Sequence, residues 1–207
     1  MFTDARINAG LDGRLPGTVY VSAHSAFSAT GTNEISGGTP AYARQLMGMD
    51  AATGRIADNT DAETIDVPAG TDVQFLGLFD AVTAGNFLGM FPLGATKTLV
   101  GMAIPAIENS APADTLWVPG HGFSLNDRIC FFEVDGSLPT GITEGTLYYV
   151  IGTPTTNSLQ ISATEGGGAL DITAAGSFIC SDAVPETFGS QGTLELAAGA
   201  FDLVGLA

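Results

Sequence analysis

The chain has 207 residues, of which 45% are hydrophobic, 28 are glycine and only 14% are charged. Six cationic residues stand against 22 acidic ones, which gives a formal net charge of −16. Nucleic-acid binding needs clustered cations that neutralise phosphates, so this composition argues against a nucleic-acid partner. No apolar run approaches the roughly 20 residues that span a bilayer, and no cationic segment precedes an apolar run at the N-terminus. We therefore expect neither membrane insertion nor a signal peptide.

The first predicted element is a short helix over residues 3–12, in which Ile7 and Leu11 share one face. From there onward, β-branched, aromatic and alternating segments separated by Gly-rich turns predict strands. The strongest apolar run, 72–80, predicts a central strand. The other predicted strands of this part lie at 18–23, 41–49, 54–59, 63–68, 87–93 and 97–104.

The composition changes after residue 107, and a second β-pattern follows. Polar linkers are predicted at 108–114 and 182–187, and the alternating pattern of the first part resumes at 192–197. We therefore predict an all-β chain: an antiparallel, jelly-roll-like β-sandwich at 1–107 plus 186–207, carrying an inserted small β-barrel or sandwich at 110–184. The ends of such an insert must lie close together. Strands of the insert are predicted at 115–118, 128–133, 146–151, 158–162 and 176–180.

The histidines and cysteines are the first candidates for chemistry. His24 follows Ser22 and could act as a base, but no nucleophile elbow surrounds it, so we interpret it as a structural residue. The glycines on either side of His121 predict a backbone turn, in which the imidazole bonds locally. Cys130 and Cys180 fit no zinc-binding spacing, and in a reducing compartment two buried thiols are favoured over a disulfide. We predict no catalytic residue, no metal and no cofactor.

Carboxylates and aromatics give two further alternatives. Four acidic residues at 58–66 could pair for glycoside hydrolysis, but the alternation around Ile65 and Val67 turns Asp66 outward, which favours a solvated face. We interpret Trp117 as an anchor in the core or at a strand end, and not as part of a binding platform. Only one of Tyr148 and Tyr149 can face outward on a strand, so any sugar-binding platform there is thin.

Three segments of the first part resemble a family of tailed-bacteriophage virion proteins, usually labelled minor tail or tail-fibre proteins. They are Gly31-Thr-Asn-Glu-Ile-Ser-Gly-Gly-Thr-Pro-Ala-Tyr-Ala-Arg44, Phe75-Leu-Gly-Leu-Phe-Asp-Ala81 and Gly85-Asn-Phe-Leu-Gly89, and the resemblance covers roughly 1–104 plus 188–204. Phe79 stands where the family usually has Trp, and His24-Ser-Ala-Phe27 replaces the family's usual His-Thr-Ala-Asp-Pro. The resemblance marks these structural positions: Gly37, Gly38, Tyr42, Arg44, Gly77, Leu78, Phe79 and Asp80.

A second resemblance covers about 113–181. The segments 119–128, 138–150 and 158–163 look like a small β-module that is found inserted in many phage structural proteins. Gly120 and Gly122 are expected to form a tight turn beside His121, while Phe123 and Leu125 are expected to point into the core. The resemblance implies no enzymatic activity for this module.

Together the resemblances imply a non-enzymatic structural protein of a tailed phage virion, assembled in the host cytoplasm. We expect a tail or tail-tip component whose insert projects from the particle. Capsid decoration and a receptor- or glycan-binding module are the alternatives. The expected partners are copies of the chain itself, as a trimer or ring, and other virion proteins, with a host surface as a further candidate.

Overall fold

The structure is a computed structural model that describes residues 4–13, 18–54, 56–95, 98–103, 114–134, 137–152 and 154–204. The chain divides into two compact units. The first unit consists of Met1–Phe91 and Glu186–Ala207, and the second of Pro92–Pro185. The first unit is therefore built from two separate stretches of sequence, and the second from the single stretch between them.

The described residues form one helix and 16 strands. In the first unit these are α1 (Asp4–Asp12), β1 (Val19–His24), β2 (Gln45–Met47), β3 (Ile56–Asp58), β4 (Glu63–Val67), β5 (Thr71–Val73), β6 (Phe75–Phe79), β7 (Phe87–Pro92), β14 (Glu186–Phe188), β15 (Gly192–Leu196) and β16 (Asp202–Val204). In the second unit they are β8 (Thr98–Ala103), β9 (Leu116–Trp117), β10 (Arg128–Glu133), β11 (Tyr148–Ile151), β12 (Ser158–Ser162) and β13 (Gly176–Ala183).

A four-stranded sheet, which we call the central sheet, organises the first unit. Its strand order is β2-β1-β6-β7. All five residues of β6 are buried, because its sequence Phe-Leu-Gly-Leu-Phe contains no polar side chain and the strand has a neighbour on each side. Strand β1 pairs antiparallel with β6 and is buried at five of its six positions. The apolar run at 72–80 thus supplies a central strand, as its composition predicted.

The C-terminal stretch returns antiparallel alongside residues 56–73. Strands β14, β15 and β16 pair with β5, β4 and β3, in that order. The alternation along β4 is the one predicted, since Ile65 and Val67 are buried while Asp66 is partly exposed. The last strands of the first unit are therefore supplied only after the chain has completed the second unit.

The N-terminal helix packs on the same unit through its apolar face. Ile7 and Leu11 form a small buried cluster with Ala52 and Ala57. The Asp12 carboxylate adds a polar link, because its Oδ1 accepts a hydrogen bond of 2.7 Å from the backbone N–H of Ala52.

The second unit is a closed barrel with the strand order β10-β11-β12-β9-β8-β13. Alternate side chains of these strands point into the barrel, where they form one continuous core. Ile129 and Phe131 of β10 are buried in that core, for example. Leu159 and Ile161 of β12 are buried in the same core. Closure gives each of these six described strands a neighbour on both sides, so none of them is an edge strand.

The two ends of the second unit lie side by side. The backbone N–H of Val184 donates a hydrogen bond of 2.7 Å to the carbonyl oxygen of Leu93. A module that leaves and re-enters a host sheet requires this geometry.

The all-β antiparallel class with one short helix is confirmed within the described residues. Two boundaries differ from those expected. Strand β8, which lies before the expected boundary at 110, pairs with β9 and β13 in the barrel. The stretch 182–187 is mostly strand and not a linker, because β13 continues to Ala183 and β14 begins at Glu186. The other predicted linker, 108–114, lies outside the described residues except for Asp114.

Candidate functional site

Motif residues that are far apart in sequence meet on one face of the central sheet. The register pairs Ser22 with Gly77 and Tyr20 with Phe79, so Ser22, His24 and Phe79 lie on the same face. The His24 and Phe79 rings are nearly parallel, with centroids 6.2 Å apart. The guanidinium group of Arg44 also lies over the Phe79 ring, with its Cζ 3.3 Å from the ring centroid. We call this group, together with Glu34 and Tyr42, the arginine cluster.

Arg44 uses its whole guanidinium group. Its Nε donates to Oε1 of Glu34 at 2.8 Å, and its Nη2 donates to Oε2 at 2.6 Å. Its Nη1 donates to the carbonyl oxygens of Ala81 and Ala84 at 3.0 and 2.6 Å. The side chain is only 9% exposed. Arg44 therefore ties the Gly-rich loop before β2 to the loop after β6 through a bidentate ion pair and two backbone carbonyls.

Tyr42 completes the ion pair. Its hydroxyl donates a hydrogen bond of 2.8 Å to Oε1 of Glu34 and accepts one of 3.1 Å from the backbone N–H of Ala23. Burial acts to raise the pKa of Glu34, but hydrogen bonds from Arg44 and Tyr42 outweigh it and hold that pKa below its usual value. The hydrogen bond to Glu34 raises the pKa of Arg44, and burial raises that of Tyr42. The cluster is thus a satisfied, charged network at neutral pH.

Ser22 and His24 are paired as a nucleophile and a base would be, but they are sealed from solvent. His24 Nδ1 lies 2.9 Å from the carbonyl oxygen of Thr32, which only accepts, so Nδ1 carries the proton of the neutral ring. Nε2 therefore accepts from the Ser22 hydroxyl at 2.8 Å. Both side chains are 0% exposed, so no substrate reaches them in this structure. The pair holds β1 to the loop that contains Thr32.

Two motif glycines are required by close approach. A Cβ at Gly77 would lie 2.5 Å from His24 Nε2 and 2.7 Å from Ser22 Oγ, so only glycine leaves room for the pair. Gly38 has φ +90°, and a Cβ there would lie 2.7 Å from Oε1 of Gln191. Gln191 comes from the stretch that follows the second unit, and its side chain contacts the backbone of Thr39 and Pro40. Gly37 has φ +91°, and its carbonyl oxygen accepts from Tyr42 N–H.

The remaining motif residues shape the end of β6. Leu78 is buried on the opposite face from Phe79. Asp80 Oδ1 and Oδ2 accept hydrogen bonds of 2.6 Å from the backbone N–H and the side-chain amide of Asn86. These bonds lower the pKa of Asp80. They close the 80–86 loop, whose Ala81 and Ala84 carbonyls bind Arg44.

Folding stability is expected to fall as the pH drops from 7 to 5, and His24 is the expected cause. Burial lowers the pKa of His24 in the folded state from 6.5, although the Thr32 carbonyl and the nearby Glu34 oppose this shift and Arg44 adds to it. The unfolded chain therefore binds the proton first, so stability is full above pH 6.5 and is lost below it, by at most about 1.4 kcal/mol per pH unit. Chemical unfolding at several pH values measures this slope.

The matched variant for that measurement is His24→Asn, which should flatten the slope between pH 7 and 5. Glu34 contributes separately: its lowered pKa gives stability that is lost only as the pH falls below about 4.5, the value from which it is shifted. An unchanged slope between pH 7 and 5 in His24→Asn would assign the effect to another group.

The second motif forms a turn at the barrel. Gly120 and Gly122 both adopt left-handed φ values, +63° and +59°. Between them His121 is buried, and its Nδ1 accepts a hydrogen bond of 2.9 Å from the backbone N–H of Phe123. Phe123 joins the barrel core, as expected. The expectation for Leu125 was wrong, because its side chain is 55% exposed in the turn before β10.

The aromatic residues of the barrel divide between its inside and its outside. Tyr148 is buried in the core and its neighbour Tyr149 is partly exposed, as strand alternation requires. Trp117 was expected to be a core or strand-end anchor. It lies at the end of β9, but it is 41% exposed because its neighbour Leu116 takes the inward position.

The cysteines are two separate buried thiols. The register pairs Cys130 with Ser181 and Cys180 with Phe131, so the two side chains point to opposite faces of the barrel wall and cannot form a disulfide or bind one ion together. Burial raises the pKa of each thiol to about 12. Across the described residues, no group of three or more His, Cys, Asp or Glu side chains could hold a metal ion.

The acidic residues at 58–66 differ in exposure and in their contacts. Asp61 is exposed and accepts a hydrogen bond from the Thr60 hydroxyl, and Asp66 faces away from Ile65 and Val67. Partial burial and the charge of Asp61 raise the pKa of Glu63. The neighbouring Asp58 lies at the end of β3, opposite Asp202.

Sequence reasoning missed the partners of the motif residues. Glu34 is the one acidic residue of the Gly31–Arg44 segment. Its charge, opposite to that of Arg44, was a local signal from which this ion pair could have been predicted. Nothing local marks Gln191, which meets Gly38 from more than 150 positions away. The same holds for Asn59, which is 2% exposed and bonds to residues near the C-terminus.

Residues 9–110 match a family model described as the podophage GP4 fiber I protein gp80. The matched segment is just under half of the 207 residues and contains the whole arginine cluster. No curated protein and no solved structure was found to match the chain. In the described part of the chain, no helix is both long and apolar enough to cross a membrane. Over residues 9–110 the chain is therefore similar to a phage fibre protein, and this similarity supports a structural role of the tail-fibre type in a virion.

Proposed function

We propose that the chain is a tail or tail-tip component of a phage particle, in which the first unit attaches to neighbouring virion proteins and the second unit is presented. The observation that carries the proposal is the fibre-protein match over residues 9–110. Inside the match, the side chains of the arginine cluster bond to one another and to nearby backbone, and Ser22 and His24 are fully buried. A scaffold function accounts for that arrangement.

The arginine cluster supports a scaffold because it makes the loops of the first unit rigid. Arg44 alone joins Glu34, Ala81 and Ala84, and the Gln191 side chain fastens the loop at Thr39 and Pro40. Loops held in this way present a fixed surface, which repeated contacts in a symmetric particle require.

Self-association is part of the proposal. Strand β2 is an edge of the central sheet, and its Leu46 is 55% exposed. Val82, in the loop that Arg44 fastens, is 50% exposed. Edge strands and exposed apolar side chains are the features that a second subunit covers. Light scattering on the purified chain should give a trimer or higher ring, and a stable monomer at all concentrations would count against self-association.

The location in the particle decides between the tail and capsid decoration. Labelling the protein on intact particles and imaging them should place it on the tail axis. A regular array of label over the shell would replace this proposal with a decoration role. Absence of the protein from purified particles would remove both.

The second unit is proposed to be a separable, inserted module. We expect that replacing residues 94–183 with a short Gly-Ser linker leaves the first unit folded, because Leu93 and Val184 are already hydrogen-bonded and a turn can join them. We also expect residues 92–185 to fold alone, since the barrel is closed and has its own core. Circular dichroism and cooperative unfolding of both fragments provide the measurement, and a non-cooperative first unit would contradict the inserted-module hypothesis.

A further inference from the structure

One outer face of the barrel combines an exposed tryptophan with partly exposed tyrosine, amide and cationic side chains. Four neighbouring strands contribute to it, and their alternation separates these positions from the core: Leu116, Leu159 and Val150 point inward while their neighbours point outward. We call the outward set the barrel face, and it consists of Trp117, Ser158, Gln160, Tyr149, Ile151 and Arg128.

The register fixes how the barrel face is laid out. Trp117 pairs with Ser158, and Tyr149 pairs with Ser162, four residues further along β12. Trp117 and Tyr149 are thus two strands apart, or about 10 Å, and about 13 Å apart along the strand direction. A ligand that contacts both residues must be extended.

Arg128 is the charged member of the face, and it is held in place without an acidic partner. Its guanidinium carbon lies 5.5 Å from the centroid of the Tyr149 ring. Within the described residues it makes no ion pair, and its buried Nε makes no hydrogen bond. None of the six side chains is acidic, although the chain carries a net charge of −16. The charge of this face is therefore complementary to an anionic group from outside the chain.

We propose that the barrel face binds an extended saccharide that carries carboxylate groups. A flat aromatic ring such as Trp117 packs against the apolar face of a sugar ring. The planar guanidinium of Arg128 matches a carboxylate in a bidentate way, and its stacking on Tyr149 orients it beforehand. Gln160 and Ser158, between the two aromatics, face the position of the sugar hydroxyls. This binding function goes beyond the structural role and does not depend on where the protein sits in the particle.

Trp117 is the only tryptophan of the chain, so its fluorescence reports on this face alone. The test titrates the full chain with an oligogalacturonate at about 150 mM salt, where the Debye length of about 8 Å screens long-range repulsion between the acidic partners. We expect saturable quenching or a spectral shift. Calorimetry should then show binding weakened about tenfold in Arg128→Gln and in Trp117→Ala, as expected for central contact residues.

Controls separate this inference from simpler explanations. Ile56→Ala trims an apolar side chain of the first unit that is about as exposed as Trp117, 39% against 41%, and should bind like the unaltered chain. Arg128→Lys keeps the charge but loses the planar fork, so it should fall between Arg128→Gln and the parent. Thermal unfolding checks that each variant is folded.

Three outcomes would overturn the inference. Equal binding of a neutral malto-oligosaccharide would remove the role of the carboxylate. Equal binding of polyglutamate would show an anion site without sugar recognition. No binding of any of the three probes, by a chain that unfolds cooperatively, would leave the barrel face without a saccharide function.

Discussion

Replacing Arg44 with methionine is expected to lower the free energy of unfolding by about 3–5 kcal/mol, the usual cost of removing one partner from a buried ion pair. The variant leaves the Glu34 carboxylate, which is only 21% exposed, without its bidentate partner. It also leaves the carbonyl oxygens of Ala81 and Ala84 without their donor. Denaturant unfolding followed by fluorescence and circular dichroism measures the loss.

Three variants test this explanation. Arg6→Met removes an exposed cation from α1 and should change stability by less than about 0.5 kcal/mol. Arg44→Lys keeps the charge without the fork and should lose an intermediate amount. The double variant Arg44→Met, Glu34→Leu should recover part of the loss, because no unpaired charge stays buried. A double variant that is as unstable as the sum of both single variants would show that the ion pair is not the source.

Replacing Asn59 with leucine is expected to cost about 3 kcal/mol, because each buried polar group left without a partner costs about 1–3 kcal/mol. Asn59 Oδ1 accepts from the backbone N–H of Phe201 at 2.9 Å, and its Nδ2 donates to the carbonyl oxygens of Ala197 and Asp61 at 2.9 and 2.8 Å. Hydrogen exchange should show the amide of Phe201 losing protection first, because its N–H donates to the Asn59 side chain. The Gly199 N–H donates to the backbone carbonyl oxygen of Asn59, which leucine keeps, so its protection should fall less.

Asn59→Asp gives the sharper control. A charged aspartate keeps the acceptor for Phe201 but faces two carbonyl oxygens, so its folded-state pKa should rise above the unfolded value of about 3.9. Its stability deficit relative to the parent should therefore shrink as the pH falls towards 4, where the neutral acid can donate one bond. A deficit that stays constant with pH would mean that the lost donor is not the cause.

Both substitutions bear on the fibre-type role. Arg44 fastens loops that follow β1 and β6, while Asn59 fastens the stretch that returns after the second unit. A particle protein with a presented module must hold the first unit together while forces act on the second. If the chain has the proposed role, we expect both variants to lower the yield of assembled particles.

The sequence predicted secondary structure well where apolar patterns are strong. The burial of β6 follows from five consecutive residues without a polar side chain, and the alternation of β4 from Ile65 and Val67. It failed where a polar segment extends a strand. Residues 182–187 read as a linker by composition, yet β13 reaches Ala183 because backbone pairing with Arg128 does not depend on side-chain polarity.

The sequence by itself determined the all-β class, the short helix and the positions of the motif glycines, because strand alternation, helical spacing and turn chemistry are local. Only the tertiary structure decided that Arg44 bonds to Glu34 and to the carbonyl oxygens of Ala81 and Ala84. It also decided that Gln191 and Asn59 bond across to the other stretch of the first unit, and that Cys130 and Cys180 point to opposite faces of the barrel wall. These contacts depend on strand register and on pairing between distant segments, and neither is encoded in any one window of the chain.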